Sequence, residues 1–252
     1  MRQATPATPP SAASSLGTQA VAATATGAVA GAASANATAR AGLQRLVAAV
    51  ARQQPRLAWA AGDRADRTTV LTTDLASGWI PPGIDLPAAV TLLPPARRRG
   101  DLETLLGEVD VAAAYTPIHH IPEEDEPVRT SPRPRRVPEI DELGWELSQA
   151  TQWRDGLPRL AHTLAKAASS GTGVLDKEVE LLHEHLATVS TRVLDSYPDH
   201  VDSHDVGNWQ LLAAIEALAA GDRSAARYHL AWFQACSATT GQAGQLADSK
   251  VT

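Results

Sequence analysis

Histidines and carboxylates gather at three places in this chain, and each group has the residue types of a metal or acid–base site. His183-Glu184-His185 carries the letters of a shortened zinc motif. Metal-binding histidines on one helix stand four apart, because about 100° per residue returns both rings to one face; two apart, they diverge by roughly 200°. These two are therefore expected at the helix surface, flanking the packed stripe. Asp199-His200-Val-Asp202-Ser-His204-Asp205 holds two histidines four apart among three carboxylates. If Asp202 or Ser203 caps a helix, His200 lies outside it and the spacing loses its meaning, while capping accounts for most of the acids. His119 and His120 stand beside an acidic run, and adjacent side chains point apart in extended structure. No metal ligand set and no cofactor is assigned.

Nucleophile and phosphate chemistry find no better footing. The chain has no Gly-x-Ser-x-Gly elbow and no Gly-rich lysine loop, and Ser169-Ser-Gly-Thr-Gly173 lacks the third glycine of a dinucleotide fingerprint. Cys236 is the sole cysteine, so no intrachain disulfide forms, and near a helix C-terminus its thiolate gains no stabilisation. No catalytic residue is named, and the reading leans away from an enzyme. The compact basic patch is Arg97-Arg98-Arg99, set just before a helix start, where it could grip phosphate or an acidic partner segment. With Pro81 and Pro82, expected to shape an exposed loop, these arginines are the candidate partner-binding residues.

The elements that must position them follow from patterning. Leu43, Leu46, Val47 and Val50 share one helical face, which predicts a helix over 38–53, stopped before Pro55. Leu57-Ala-Trp-Ala and Thr68 to Thr73 are β-favouring runs around the turn-rich Gly62 to Asp66, a hairpin pattern. Pro81-Pro82-Gly83 suits a type II turn. Residues 89–93 read as another strand, Asp101 as the cap of a short helix, and 109–115 as strand or helix. Trp59 and Trp79 belong to a sheet core, since no basic residues interleave with them as in a nucleic-acid platform.

Beyond residue 138 the pattern is helical throughout. Ile140, Leu143, Leu147 and Ala150 form one stripe, and Leu157, Leu160, Leu164 and Ala168 another, closed at Gly171. Leu175, Val179, Leu182, Leu186, Val189 and Val193 make a heptad seam, expected to serve a bundle helix, with self-association as the alternative. Residues 206–220 are apolar nearly all round, a central buried helix, and Gly221-Asp222 stops it and caps the next. The fold class is α+β: a small, mainly antiparallel α+β domain followed by an all-helical bundle.

The domain reading is a flexible Ala/Thr/Pro-rich leader over 1–39, the mixed domain over 40–120, a Pro-rich charged linker over 121–138, the bundle over 139–235 and a tail over 236–252. Of 252 residues, 44% are hydrophobic and 20% charged, an ordinary globular balance that excludes a wholly disordered chain. A net charge of −6 argues against a general nucleic-acid binder. Residues 139–252 carry 8 basic against 16 acidic residues, and residues 1–138 carry 14 arginines against 12 acids. An acidic half can steer a basic partner, with salt-sensitive binding as its signature. No window is apolar enough to span a membrane, and residues 1–39 are too weakly hydrophobic for a signal peptide. The cytoplasm is favoured, with export by a specialised secretion system open, and the chain is expected as a monomer or weak homodimer.

Two sets of stretches carry a resemblance. Leu57-Ala-Trp-Ala-Ala-Gly-Asp-Arg64 with Thr72 to Ile84 is one; Gly144-Trp-Glu-Leu-Ser-Gln-Ala-Thr151, Leu157 to Lys166 and Tyr228-His-Leu-Ala-Trp-Phe233 are the other. Together they resemble a paired set of uncharacterised mycobacterial domains, the mixed one first. The resemblance covers roughly residues 40 to 235 and implies an actinobacterial origin and, for some members, a neighbourhood of type VII secretion loci. It brings no catalytic residues. The expected function is protein–protein interaction or an accessory role, linked through the resemblance to type VII secretion. The alternative is an enzyme or small-molecule binder with its pocket between the two domains. A deep pocket lined by His162, His183, Arg97 to Arg99 or Asp199 to Asp205 would favour that alternative, and a shallow apolar patch the interaction.

Overall fold

Alanine dominates the first described stretch, and alanine has the strongest intrinsic preference for helix. In the computed structural model, which describes residues 16–88, 90–117, 119, 121, 128–131 and 138–237, helix α1 accordingly runs over Leu16–Gln53. It starts well before residue 38, where apolar periodicity placed the beginning, because propensity alone suffices where no apolar stripe exists. By contacts the chain divides into residues 1–41 and 42–252, and every element after α1 belongs to the second unit.

In that second unit Leu43, Val47, Val50 and Ala51 are buried, one face of α1 at helical spacing. The hairpin forms as its β-branched residues and turn demand: β1 (Trp59–Asp63) pairs antiparallel with β2 (Thr69–Thr73), Trp59 opposite Thr73. Strand β3 (Leu86–Pro87) follows, then β4 (Val90–Leu92), and Asp101 caps helix α2 (Leu102–Leu106) by accepting from the Thr104 amide. Residues 109–115, open between two readings, contain strand β5 (Val111–Tyr115). The sheet order is β4-β2-β1-β5, with β1 antiparallel to both neighbours and β4 parallel to β2. Strand β6 (Thr130–Ser131), inside the expected linker, pairs with β3. Two-residue strands carry no periodicity, so pairing was invisible in sequence. His120, the acidic run Glu123 to Glu126, and Arg133, Arg135 and Arg136 lie outside the described residues.

The helices are α3 (Leu143–Thr151), α4 (Arg159–Ser170), α5 (Asp176–Ser196), α6 (Ser203–Ala219) and α7 (Arg223–Ser237). The fold is thus α+β, a small mainly antiparallel sheet unit followed by a helical bundle. Helix α6 lies at its centre: eleven of its residues, Val206 to Ile215 and Leu218, are buried. The heptad face of α5 turns inward, with Leu182, Val189 and Val193 in the core, while Leu175 at its start is 62% exposed. Each fully buried leucine or tryptophan contributes roughly 2 to 3 kcal/mol of transfer energy. The core is one cluster that includes Trp59, Leu71 and Trp79 of the sheet region and Leu164, Leu211 and Trp232 of the helices. Among the described residues no helix is long and apolar enough to cross a membrane.

Candidate functional site

Sheet region and bundle meet around Trp79. Its indole donates to His229 Nδ1 at 3.1 Å and packs edge-on against Trp209 at 5.2 Å. Buried away from water, His229 has its pKa pushed down to about 3, and the neutral ring accepts the indole proton through Nδ1. One residue on, the Ile80 amide donates to the Tyr228 hydroxyl at 3.0 Å. Gly83 takes a φ of 79°, the left-handed geometry that the third position of a type II turn requires. Gln53 then fastens the loop on both sides of Asp85, donating to its carbonyl and accepting from its amide.

This fastened loop is one wall of a cavity of about 700 Å³. Pro81 is buried and Pro82 half-buried, so of the loop expected to be exposed only Gly83 and Asp85 are, because Tyr228 and Gln53 hold its two ends. The opposite walls come from α5, α6 and α7. Asp176, Val179, Glu180 and His183 lie at helical spacing along α5, and Ala213, Ala217 and Ala220 line it from α6 and its C-cap. The alanines leave the space open: larger side chains on that face would fill it. Among the described residues four carboxylates line the cavity, Asp176, Glu180, Glu216 and Asp222, with no lysine or arginine. Glu216 Oε1 meets His183 Nε2 at 2.9 Å, and Asp222 Oδ1 accepts from the Ser224 and Ala225 amides as the cap of α7. The floor is apolar: Ile80, Ile84, Leu86 and Leu92.

The arginine patch lies elsewhere and divides by role. Arg98 turns back on its own loop, donating to the Pro94 carbonyl at 2.9 Å, and its carbonyl accepts from Ser77 Oγ. Arg97 lines a second cavity, of about 530 Å³, with Arg154, Ser203, His204, Gln210 and Cys236. Arg99 is exposed. The candidate residues Arg97 and Pro81 therefore belong to two separate cavities.

The remaining clusters disperse. His183 and His185 are exposed, and His183 reaches the first cavity through Glu216. Asp202 accepts from the His204 amide as the α6 cap, and Asp205 pairs with Arg192 at 3.0 Å. His162 Nδ1 sits against the Ser148 carbonyl and Thr151 hydroxyl, in neither cavity. His119 pairs with Thr116. Among the described residues no three His, Cys, Asp or Glu side chains converge for a metal ion. Glu180, Glu216 and Arg154 were not singled out in the sequence, and Tyr228 and His229 entered only through the resemblance, not as site residues. Each looks ordinary in its own segment, four on helices and Arg154 on the α3–α4 loop, and only tertiary packing brings them to a cavity.

The chain is similar to two Mycobacterium tuberculosis proteins and matches two family models. A model described as "Family of unknown function (DUF5632)" matches residues 37–117, and "Family of unknown function (DUF5631)" matches 140–236. The uncharacterized protein Rv2082 of Mycobacterium tuberculosis is 49% identical over 196 residues, 75% of this chain, and the chain spans 27% of that relative's length. A solved fragment of the conserved hypothetical protein Rv3899c of the same organism is 46% identical with a TM-score of 0.76, covering 82% of this chain and 98% of the fragment. With two adjoining family matches in the order mixed then helical, and a relative matched over nearly its whole solved length, the chain belongs to a family of paired mycobacterial domains of unknown function.

Proposed function

We propose that this chain is a ligand-binding protein whose acidic cavity takes a small organic cation, an apolar body carrying an amine or guanidinium. One observation carries the reading: a cavity of about 700 Å³, within the size range of small-molecule sites, that joins an apolar floor to four carboxylates without a lysine or arginine among the described residues. A cation desolvated there exchanges water for carboxylate oxygens, and the apolar body covers Ile80, Ile84 and Leu92. His183, one of the residues expected to line a pocket, is in this lining, which supports a binder over a shallow interaction patch. In the two-domain division proposed here, 40–120 and 139–235 joined by 121–138, this cavity is an interdomain one.

The test is calorimetric titration of the full chain with benzyltrimethylammonium, and with neutral benzyl alcohol as control. Saturable binding of the cation alone, weakened at least tenfold in Asp176→Lys/Glu180→Lys, supports the reading. Equal behaviour of cation and alcohol, or an unchanged affinity in the double variant, overturns it.

Protein–protein interaction is the second reading, supported by two tryptophans in the bundle: Trp145 is 57% and Trp153 87% exposed. Large aromatics in water are the residues that anchor interfaces. A role beside type VII secretion rests on the resemblance alone, an association of genes rather than a property of this surface.

A further inference from the structure

A guanidinium drawn even partly out of water is ordinarily paired with a carboxylate, because burial without a counter-charge is costly, and Arg154 is half-buried. Arg154 departs from that. Its Nε donates to Asn208 Oδ1 at 2.6 Å, its Nη2 makes a long contact of 3.4 Å to the His204 carbonyl, and its guanidinium carbon stands 4.8 Å over the Phe233 ring. All three partners are neutral. Partial burial lowers its pKa, and among the described residues no carboxylate offsets that shift.

The backbone is shaped around this side chain. Gly207 sits in the interior of α6, where glycine costs about 1 kcal/mol relative to alanine. A Cβ at that position would stand 2.7 Å from Arg154 Nη2. The helix thus accepts a weak helix former where the guanidinium lies against it.

Around Arg154 the second cavity contains Arg97 and, among the described residues, no carboxylate. Arg98 does not compete for this role, since its guanidinium donates to the Pro94 carbonyl. Cys236 supplies no anion either: burial pushes its thiol pKa up, against the pull of Arg97 and Arg98. The His204 amide, in the first turn of α6, already donates to Asp202. Among the described lining residues the permanent charge is therefore that of the two guanidiniums, with the His204 ring beside them. The lining also includes Gln210, which is 1% exposed and whose Nε2 has no hydrogen-bond partner among the described residues, a buried donor that a native core rarely leaves unmade.

We propose that this second cavity is an oxyanion site, holding the phosphate or carboxylate of a small organic ligand on Arg97 and Arg154. Guanidinium forks match the paired oxygens of both groups, and charge-assisted bonds of this kind are roughly twice as strong as neutral ones. The volume of about 530 Å³ leaves room for an organic body against Ala76, Val201 and Val206.

Titration of the full chain with phenyl phosphate, benzoate and phenol decides it, followed by calorimetry and by two-dimensional amide NMR. Saturable binding of either anion but not of phenol is expected, with shifts at Gly207 and Gln210. Preference between the two anions assigns the phosphate or the carboxylate as the better-held group. Arg97→Gln, at an exposed position whose loss leaves the core intact, should weaken binding at least tenfold, and Arg154→Lys should weaken it while keeping the fold. The proposal is overturned if neither anion binds at millimolar concentration, if phenol binds as well as they do, or if folded Arg97→Gln retains full affinity. Asp176→Lys/Glu180→Lys, which remodels the other cavity, leaves this binding unchanged, so failure at one site is distinguishable from failure at the other.

Discussion

The two cavities border the same helix, α6, yet carry opposite charge. Among the described residues the first is lined by four carboxylates and no lysine or arginine, the second by two arginines and no carboxylate. Alanine shapes one, through Ala213, Ala217 and Ala220; glycine shapes the other, through Gly207 against Arg154. Each is a place where a buried helix gives up a large side chain, and the charge of the resulting space comes mostly from residues on other elements, Asp176, Glu180 and Asp222 at one and Arg97 and Arg154 at the other. A central helix can thus serve two sites of opposite preference from its two ends, with Glu216 facing the acidic cavity and His204 and Gln210 the other.

The largest expected effect concerns what holds the acidic cavity together. His229 has a folded-state pKa of about 3 against 6.5 for an ordinary histidine. The unfolded chain then binds the extra proton, so the stability from neutral His229 is fully present above pH 6.5 and is lost as pH falls toward 3. Over that window the loss is on the order of 5 kcal/mol for a fully buried ring. Chemical denaturation at a series of pH values should show His229→Gln with a flatter acid limb than the parent; parallel limbs would remove His229 as the acid-sensitive brace.

A smaller effect separates structural from ligand-facing carboxylates. Asp222→Ala removes the cap of α7 and should cost about 1 kcal/mol, read as a shift in denaturation midpoint. Glu180→Gln should leave that midpoint within about 0.5 kcal/mol of the parent, as surface substitutions do, while weakening benzyltrimethylammonium severalfold. If Asp222→Ala proves the more damaging to cation binding, the roles of the two carboxylates are reversed. The smallest effect is that of His183→Gln, which removes an exposed pair with Glu216 and should change stability by less than about 0.5 kcal/mol. A larger loss would make His183 part of the bundle's support.

Much of the fold was legible before any coordinates. The hairpin of β1 and β2, the cap at Asp101, the stop at Gly221 and the inward seam of α5 are local signals: alternation, capping and turn chemistry act over a few residues, and the chain states them directly. The early start of α1 was missed because alanine propensity leaves no stripe to read. The parallel pairing of β4 with β2 and the two-residue β3 and β6 depend on partners far along the chain. The same reason divided the site residues. Arg97, Pro81 and Pro82 stood out by composition, but Arg98, from the same patch, is spent on its own loop, and Arg154 and Glu180 stood out not at all.

By itself, the sequence determined most of the elements, the order of sheet unit and bundle, and the family, because helix, turn and cap preferences are properties of neighbouring residues. Only the tertiary structure decided which side chains share a cavity and with what sign of charge. That depends on how α5, α6 and α7 rotate about their axes when the core closes, and a rotation is fixed by packing between residues far apart in the chain.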